Sequence, residues 1–483
     1  MSSELELRPM PLSDLAHIDQ RDAWPVIVVG AGPAGLVAAI TLARAGIRVR
    51  VVNRRTSVFA HPRATVVSLR SMELFRSWGL EEELWAGGDD VEWRMLATPT
   101  LSKAASGELI DVGYPSRTES ARLSPPRPAA VPQDHLETVL IKYLKKLPNA
   151  RVDLGFGMED LWPGADGLHV KLRAVESAVS EVAEALYLIG ADGVRSLVRQ
   201  RLGVTVSSTD EVLHSFSAVI RAPLWEIVDR QRYGIYATET PARSTFLPAG
   251  QGDRWVYGFS WDPRVEQMPD LSENELIARI RLAAGVLDIP IRVIDQRRFT
   301  FSAGLADQFR VGNAFLIGDA AHHVTPRGGT GMNTAIADGF NLAWKLSWVL
   351  NDWASDSILD TYETERRPVA EHNLVRSLDP MGSRRRAQDE LRFDLGDRLP
   401  HVWIDTPAGR ISSLDLLGPG LTQLSVDQSS PQLNNPSHVP PITGHRLEPL
   451  AAAAIGADQP GGILLRPDGV IWEPPARTAL NAA

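Results

Sequence analysis

Six residues near the N-terminus combine three glycines at a spacing that leaves backbone N–H groups free to bind a ligand. Gly30-Ala31-Gly32-Pro33-Ala34-Gly35 follows an apolar run and precedes an alanine-rich one. In this pattern the first glycine permits a tight turn, the second lets a pyrophosphate approach the backbone, and the third allows close packing of a helix on a strand. The N–H groups at the start of the helix then face the phosphates. The segment predicts a dinucleotide-binding turn.

The acid that normally follows such a turn is absent. In dinucleotide-binding units an Asp or Glu about twenty residues further on accepts from the ribose hydroxyls. Here the second strand ends at Asn53. An amide can still accept and donate hydrogen bonds, but without charge. We expect a weaker ribose contact at Asn53, and Arg54 and Arg55 could favour a phosphorylated ribose if NADP bound here directly.

Two later segments place an acid at the end of a buried strand. Gly190–Ser196 contains Asp192, and Gly318–His322 contains Asp319 and is followed by Pro326–Asn333. An Asp in this position can accept from ribitol hydroxyls. A glycine run at a helix N-terminus can offer N–H groups to the pyrimidine end of an isoalloxazine and stabilise its reduced anion. The three segments together predict a flavin site.

The periodicity of apolar residues predicts the elements that would position these segments. Pro25–Val29, a helix to about Ala45 and Arg48–Asn53 form a strand–helix–strand unit. Between about Phe216 and Trp261 the runs have a period of two, which predicts an antiparallel sheet. Ser272 and Glu275 form a capping box before a helix. A long helix is predicted over Met332–Asn351.

One uncharged stretch, Ala23–Ala43, has about the length needed to cross a bilayer. It contains three glycines and a proline in its middle, and its two halves have different periods. A strand, a tight turn and a helix explain it better than a membrane span.

The composition narrows the class of protein. A chain of 483 residues is expected to form two or three domains. Its net charge of -9 comes without a long acidic or basic run, which disfavours nucleic acids and anionic membranes as partners. The absence of cysteine excludes disulfides, thiolate metal sites and a flavin–disulfide relay, and fits a cytoplasmic location. The polar stretch Met1–Asp22 is not typical of a signal peptide.

The three segments, in this order, resemble those of the flavoprotein hydroxylases of the p-hydroxybenzoate hydroxylase fold, over about residues 24–375. Three further groups are similar to the branch that hydroxylates polycyclic aromatic polyketides, including the tetracenomycin and anthracycline hydroxylases: Pro62–Ala64, Arg70–Glu73 with Trp78–Leu80, and Pro132–Glu137. That branch carries a C-terminal thioredoxin-like domain without redox cysteines. Ser412–Gly420 and Leu464–Gly469 resemble its remnant.

The resemblance implies an α/β fold (α+β overall). A doubly wound FAD-binding domain would be accompanied by an antiparallel-sheet substrate domain and a small thioredoxin-like C-terminal domain. The implied ranges are 1–75, 131–204 and 301–385 for the FAD-binding domain, 76–130 and 205–300 for the substrate domain, and 395–483 for the C-terminal domain.

The resemblance also implies the cofactor contacts. The glycine turn would hold the FAD pyrophosphate, Asp192 would serve both FAD and the pyridine nucleotide, and Asp319 would bind ribitol. The implied cofactor-binding residues are Gly30, Gly32, Pro33, Ala34, Gly35, Asn53, Arg54, Arg63, Gln133, Asp192, Gly318, Asp319, Pro326, Gly329, Gly331, Met332 and Asn333. No catalytic side chain is predicted beyond the flavin environment around Pro326 and Gly328.

The implied activity is an FAD-dependent monooxygenase that consumes NADPH or NADH and hydroxylates a polycyclic aromatic phenol through a flavin hydroperoxide. The cofactor supplies the difficult chemistry, and the protein must keep water away. Baeyer–Villiger oxygen insertion and a non-oxygenating flavin-bound protein remain alternatives. A flavin halogenase is disfavoured, because Phe259–Pro263 does not match the tryptophan-rich element of those enzymes. Dioxygen and the aromatic substrate are the expected partners, and the chain could be a monomer or a homodimer.

Several single residues have two readings. For His322 and His323, packing near the flavin loop is favoured over a base or a metal ligand, and no metal site is predicted. Arg195 and Arg199 could attract NAD(P)H phosphates or form a solvated helix face. Aromatic residues alternate along the second sheet, so half should be core while the other half could line a substrate pocket. The pocket candidates are Tyr236, Phe246, Tyr257 and Phe259.

Overall fold

The computed structural model describes residues 24–165, 167–209, 213–265, 270–427 and 439–473. The stretch Met1–Asp22 and the ends of the predicted first and last domains lie outside these ranges. The strands are β1 (Trp24–Val29), β2 (Val49–Asn53), β3 (Glu92–Thr98), β4 (Glu108–Ile110), β5 (Ala150–Leu154), β6 (Phe156–Pro163), β7 (Leu168–Ala174), β8 (Ser180–Gly190), β9 (Val206–Ser208), β10 (Leu213–Arg221), β11 (Tyr233–Thr238), β12 (Ser244–Pro248), β13 (Arg254–Trp261), β14 (Arg292–Phe301), β15 (Gly304–Ala306), β16 (Arg310–Val311), β17 (Ala314–Leu316), β18 (His322–His323), β19 (Trp403–Thr406), β20 (Gly409–Ser412), β21 (Leu421–Ser425), β22 (Ile442–Arg446) and β23 (Ile463–Leu465). The helices are α1 (Pro33–Arg44), α2 (Leu69–Ser77), α3 (Glu81–Trp85), α4 (Arg117–Leu123), α5 (Gln133–Leu144), α6 (Leu197–Arg201), α7 (Leu224–Val228), α8 (Glu273–Ala284), α9 (Gly331–Leu350), α10 (Thr361–Leu378), α11 (Ala387–Leu395) and α12 (Pro449–Ala454).

The largest sheet carries the glycine turn at the end of its central strand. Its order is β16-β17-β8-β1-β2-β5, and the β6–β7 hairpin extends from β8. The strands β17, β8, β1, β2 and β5 run parallel, so their carboxyl ends meet at one edge. The stretch Ala23–Ala43 forms β1 and α1, as predicted. None of the helices in the described ranges is long and apolar enough to cross a membrane.

The second sheet has the order β14-β10-β13-β12-β11-β3-β4. Most neighbouring strands are antiparallel, as the period of two predicts. The exception is β11 with β3, which run parallel. Because β3 and β4 come from the earlier 76–130 segment, the direction of β3 is decided by that separate connection rather than by a hairpin. Helix α8 covers one face and begins with the predicted Ser272–Glu275 capping box.

The C-terminal region is a small sheet of order β22-β21-β23 with α12 and the β19–β20 hairpin beside it. Buried contacts attach it to the rest of the chain. Arg398 donates to Glu73 at 2.9 and 2.5 Å, and both side chains are 4% exposed. The Trp348 indole N–H donates to the carbonyl of Pro419 at 2.8 Å. The thioredoxin-like assignment of this region stays a prediction.

A fully buried lysine lies where α9 meets the C-terminal region. The Nζ of Lys345 lies 2.9 Å from Oε2 of Glu365, which also accepts from Arg466. Burial lowers the pKa of Lys345 to about 8. Burial opposes ionisation of Glu365 as well, but Lys345 and Arg466 lower its pKa to about 2. The desolvation of Lys345 therefore outweighs the attraction of its partner.

Replacing Lys345 by methionine should leave the protein equally stable or up to about 3 kcal/mol more stable at pH 7, because Glu365 keeps Arg466 as its partner. Between pH 8 and about 10.4 the unfolded chain binds the lysine proton and the folded chain does not, so Lys345 makes stability rise with pH. Lys345→Met should lack that rise. Urea unfolding at pH 7 and pH 9.5 measures both effects. Loss of more than about 2 kcal/mol at pH 7 would contradict the expectation.

Candidate functional site

The glycine turn has space for a ligand in front of it and none behind it. Gly30 has φ +114°, and a Cβ there would lie 2.1 Å from the carbonyl oxygen of Ala191. A Cβ on Gly35 would lie 2.1 Å from the carbonyl oxygen of Gly30. A Cβ on Gly32 would meet no atom within 4 Å. Helix α1 begins at Pro33 without an acidic residue in its first turn, so its N–H groups are suited to a pyrophosphate.

A cavity lies beside this turn at the end of β2, lined by Gly32, Asn53, Arg55, Phe59 and Glu137 among others. Asn53 accepts weakly from the Ala31 N–H at 3.4 Å and donates to the Arg55 carbonyl at 3.1 Å. Sequence reasoning missed Glu137. The sequence did contain an indication: Glu137 comes one helical turn after the predicted FAD contact Gln133, and therefore lies on the same face of α5.

Asp192 caps a helix at the end of β8. Its Oδ2 accepts from the N–H groups of Leu197 and Val198 at 2.7 and 3.1 Å, and the Ser196 hydroxyl donates to its other oxygen. These bonds fix the turn between β8 and α6, called the Asp192 corner below, which packs behind the glycine turn. Direct contact of Asp192 with a cofactor stays a prediction.

The two arginines after Asp192 have different environments. Arg199 donates to the carbonyls of Ala320 and Val194 at 2.9 and 2.8 Å. It therefore joins the Asp192 corner to the Gly318–Ala320 turn. Arg195 is exposed, and its attraction for NAD(P)H phosphates stays a prediction.

A buried carboxylate holds the second acid-containing turn. Asp338 of α9 is 0% exposed and accepts from the Gly318 N–H at 3.1 Å, His322 Nε2 at 2.6 Å and Arg366 Nε at 2.8 Å. Burial alone would raise its pKa, but His322 and Arg366 lower it to about 2. His322 thus has a structural partner, which agrees with the favoured reading. The carboxylate of neighbouring Asp319 lies 3.9 Å from Arg63, and both are partly exposed.

Hydrogen bonds from two different parts of the chain hold the glycine loop Pro326–Thr330. Gly328 and Gly329 have φ +84° and +65°. The Gly328 N–H donates to the Ser383 hydroxyl at 3.2 Å, and the Tyr114 hydroxyl donates to the Gly329 carbonyl at 2.9 Å. A Cβ on Gly328 would lie 2.8 Å from Nε of Arg376. This loop precedes α9, whose first residues, Gly331, Met332 and Asn333, were predicted to bind the cofactor.

The side chain of Asn333, near the start of α9, makes hydrogen bonds through both its oxygen and its nitrogen. Its Oδ1 accepts from the Ser68 N–H at 2.8 Å and the Ser71 hydroxyl at 3.0 Å. Its Nδ2 donates to the Val66 carbonyl at 3.2 Å and lies 3.4 Å from the Tyr114 hydroxyl. These bonds join α9 to α2 and to the chain before it.

The four predicted pocket aromatics lie in, or pack against, the core cluster under α8. Tyr236, Phe246 and Tyr257 are 0% exposed in the core under α8, and Phe259 packs against the same cluster. An alternating strand has two faces, and the face with the larger aromatic residues is the one covered by a helix. The four aromatic side chains therefore point away from the glycine loop.

The opposite face of the same sheet lies toward the glycine loop. Met95, Ile235 and Leu247 pack in one cluster with Trp93 and Tyr114, whose hydroxyl bonds the glycine loop. This group of five residues is called the loop-side face below.

A second connection lies near the edge of the same face. The imidazole of His61 lies between Ser217 on β10 and Asp295 on β14, at 2.9 Å from each. Burial lowers the pKa of His61, despite Asp295. The segment after β2 is thereby docked on the second sheet.

Comparison with known proteins identifies the family. The family model described as FAD binding domain matches residues 23–377. Tetracenomycin A2 monooxygenase-dioxygenase of Streptomyces glaucescens is 32% identical, over 93% of each chain. The chain belongs to this family of FAD-binding aromatic hydroxylases. A second relative of the flavoprotein is an aklavinone 12-hydroxylase of Streptomyces purpurascens, which is 30% identical over 95% of this chain and 96% of that one.

A solved structure confirms the architecture of the flavoprotein. The ternary complex of aklavinone-11 hydroxylase with FAD and aklavinone matches with a TM-score of 0.81 and 27% identity, over 94% of this chain and 95% of that one. The predicted family, the mixed α/β fold and FAD as cofactor are confirmed. The open space before Gly32 and the capped helix corner fit such a cofactor. The contacts of individual residues with FAD stay predictions.

Proposed function

We propose that the protein is an FAD-dependent monooxygenase that consumes NAD(P)H and hydroxylates a polycyclic aromatic phenol of the polyketide type. The observation that carries the proposal is the contact of the glycine loop with the loop-side face through Tyr114. When bound, FAD would supply the redox chemistry, accepting hydride from NAD(P)H and activating dioxygen to transfer one oxygen atom. The chain would bind, orient and shield the reactants. A cytoplasmic location, where NAD(P)H is available, is part of the proposal.

The loop-side face supports binding of a flat aromatic ring system. It is largely apolar, and its polar group Tyr114 is already bonded to the loop. Such a surface can bury a polycyclic ring and keep water from activated oxygen. The aklavinone bound by the related hydroxylase is a ligand of this chemical class. We therefore place the substrate between this face and the glycine loop.

A group of arginines beside the cavity at the end of β2 suits an anionic nucleotide, either FAD or NAD(P)H. The guanidinium carbons of Arg55, Arg297 and Arg63 lie 4.5, 4.4 and 5.8 Å from the ring centre of Phe59. Partial burial lowers the pKa of Arg55, and Arg63, Arg54 and Arg297 lower it further. Cations held this close together attract an anionic pyrophosphate.

The decisive experiment uses the FAD-loaded protein in air with NADPH or NADH. Aklavinone and a panel of other anthraquinone and naphthacene phenols are added, and the products are read by mass and NMR. We expect ligand-stimulated oxidation of the nucleotide and a product with one new hydroxyl group. A product with oxygen inserted into a ring bond would instead indicate Baeyer–Villiger chemistry. No oxidation of either nucleotide with any ligand would favour a non-oxygenating flavin-bound protein.

Replacing Leu247 by tryptophan should fill the loop-side face and weaken binding of an accepted phenol by about tenfold or more. Ile294→Trp is the matched control, because Ile294 lies on β14 and is 47% exposed. Titration of the phenol by its visible absorbance measures the affinity without turnover. Equal affinities of the two variants for the phenol would show that the substrate does not bind at this face.

A further inference from the structure

Glu137 and Asn53 line the same cavity, next to the glycine turn that is predicted to hold the FAD pyrophosphate. Asn53 stands where a dinucleotide-binding unit normally has its ribose acid. Both polar atoms of its side chain are already engaged with the backbone of Ala31 and Arg55. The ribose hydroxyls would therefore meet an uncharged amide that already makes one contact through each of its polar atoms.

Glu137 lies on α5 and lines the cavity, and one of its two carboxylate oxygens can accept further hydrogen bonds. It is 7% exposed, and Gln133 Nε2 donates to its Oε1 at 2.7 Å. Within the described ranges, no group donates a hydrogen bond to its Oε2. A carboxylate offers about four acceptor sites, and a buried one is stabilised by each donor that it gains. Burial raises the pKa of Glu137, although Gln133, Arg55 and Arg63 oppose that rise.

We propose that Glu137 binds the ribose diol of the adenosine half of FAD, in place of the acid that this chain lacks at Asn53. The two adjacent ribose hydroxyls can each donate a hydrogen bond, and a buried carboxylate with a free oxygen can accept them. The carboxylate comes from a helix rather than from the end of the second strand. The inference rests on FAD binding and is independent of the hydroxylation proposed above.

The test compares FAD and FMN affinities of the apoprotein, measured by quenching of flavin fluorescence. Glu137→Gln keeps the size of the side chain and should weaken FAD binding about tenfold to hundredfold, since it removes a charge-assisted contact. FMN lacks the adenosine half, so its affinity should not change. Asn53→Asp in the Glu137→Gln background should restore FAD affinity. Asp134→Asn, on the same helix but paired with Arg254 at 2.8 Å, is the control.

Two results would overturn the proposal. One is an unchanged FAD affinity in Glu137→Gln; the other is an equal loss of FAD and FMN affinity, which would indicate a general structural role. If Glu137→Gln does not fold, a measurement on the wild-type protein can still refute the proposal. ADP should then compete with FAD about tenfold better than its 2′,3′-dideoxy analogue. Equal competition would exclude a carboxylate on the diol.

Discussion

Replacing Asp338 by alanine should lower the free energy of unfolding by about 3–5 kcal/mol and release most of the bound FAD. The side chain is fully buried and is the shared partner of His322 and Arg366. Without it the Arg366 guanidinium, which cannot lose its charge, stays largely buried with no carboxylate. The Gly318 N–H loses its acceptor as well, so the turn that carries Asp319 is no longer held. Urea unfolding and the fraction of retained flavin measure the two effects.

The control for this loss is a carboxylate in an exposed ion pair. Asp360 accepts from Arg310 at 2.7 Å and is 74% exposed, so Asp360→Ala should cost less than about 1 kcal/mol and retain FAD. The pH dependence gives a second check. Because the folded pKa of Asp338 is about 2 and the unfolded value about 3.9, its contribution is complete above pH 3.9 and disappears as the pH falls toward 2. An Asp338→Ala protein with wild-type stability at pH 7 would refute this role.

Gly328→Ala should reduce kcat for ligand-stimulated NADPH oxidation about a hundredfold while FAD binding changes little. Gly328 has φ +84°, and its added Cβ would lie 2.8 Å from Nε of Arg376. Arg376 cannot retreat, because it donates to the Gly382 carbonyl, to Glu390 and to the Val112 carbonyl, each at 3.0 Å. The glycine loop must shift instead. A displacement of about 1 Å at a reacting centre can cost about a hundredfold in rate.

Stopped-flow reduction and steady-state turnover separate this effect from a loss of cofactor. Gly79→Ala is the matched control, because Gly79 also has φ +75° but its Cβ would meet no atom within 4 Å. That variant should be destabilised by about 1 kcal/mol and keep its activity. Similar turnover in the two variants would show that the loop does not need its observed position.

The elements around the glycine turn were predictable because their causes are local. Three glycines at fixed spacing, an apolar strand before them and an alanine-rich helix after them determine β1 and α1 without help from distant residues. The capping box at Ser272 and Glu275 is also local, since the two residues satisfy each other's backbone N–H groups. The order of the three motifs was specific enough to indicate the family and its cofactor.

The face of the second sheet that meets the glycine loop was not predictable. A period of two shows that a strand has two faces, but it does not show which face a helix will cover. The predicted pocket residues Tyr236, Phe246 and Tyr257 lie under α8, and Leu247 and Ile235 lie on the loop-side face. That choice depends on the packing of α8 and of the segment before Tyr114.

By itself the sequence determined the local units and the kind of cofactor, because hydrogen bonding and periodicity act over a few residues. Only the tertiary structure decided which distant side chains meet. Asp338 reaches Gly318 and His322 because α9 returns beneath the turn, and Glu137 shares a cavity with Asn53 because α5 packs beside α1 and its glycine turn. Sequence spacing places Glu137 on the helix face of Gln133, but it does not show that this face meets Asn53, or that Asp338 meets Gly318. Each pairing follows from the burial of apolar faces, which brings polar groups together and then requires them to find partners.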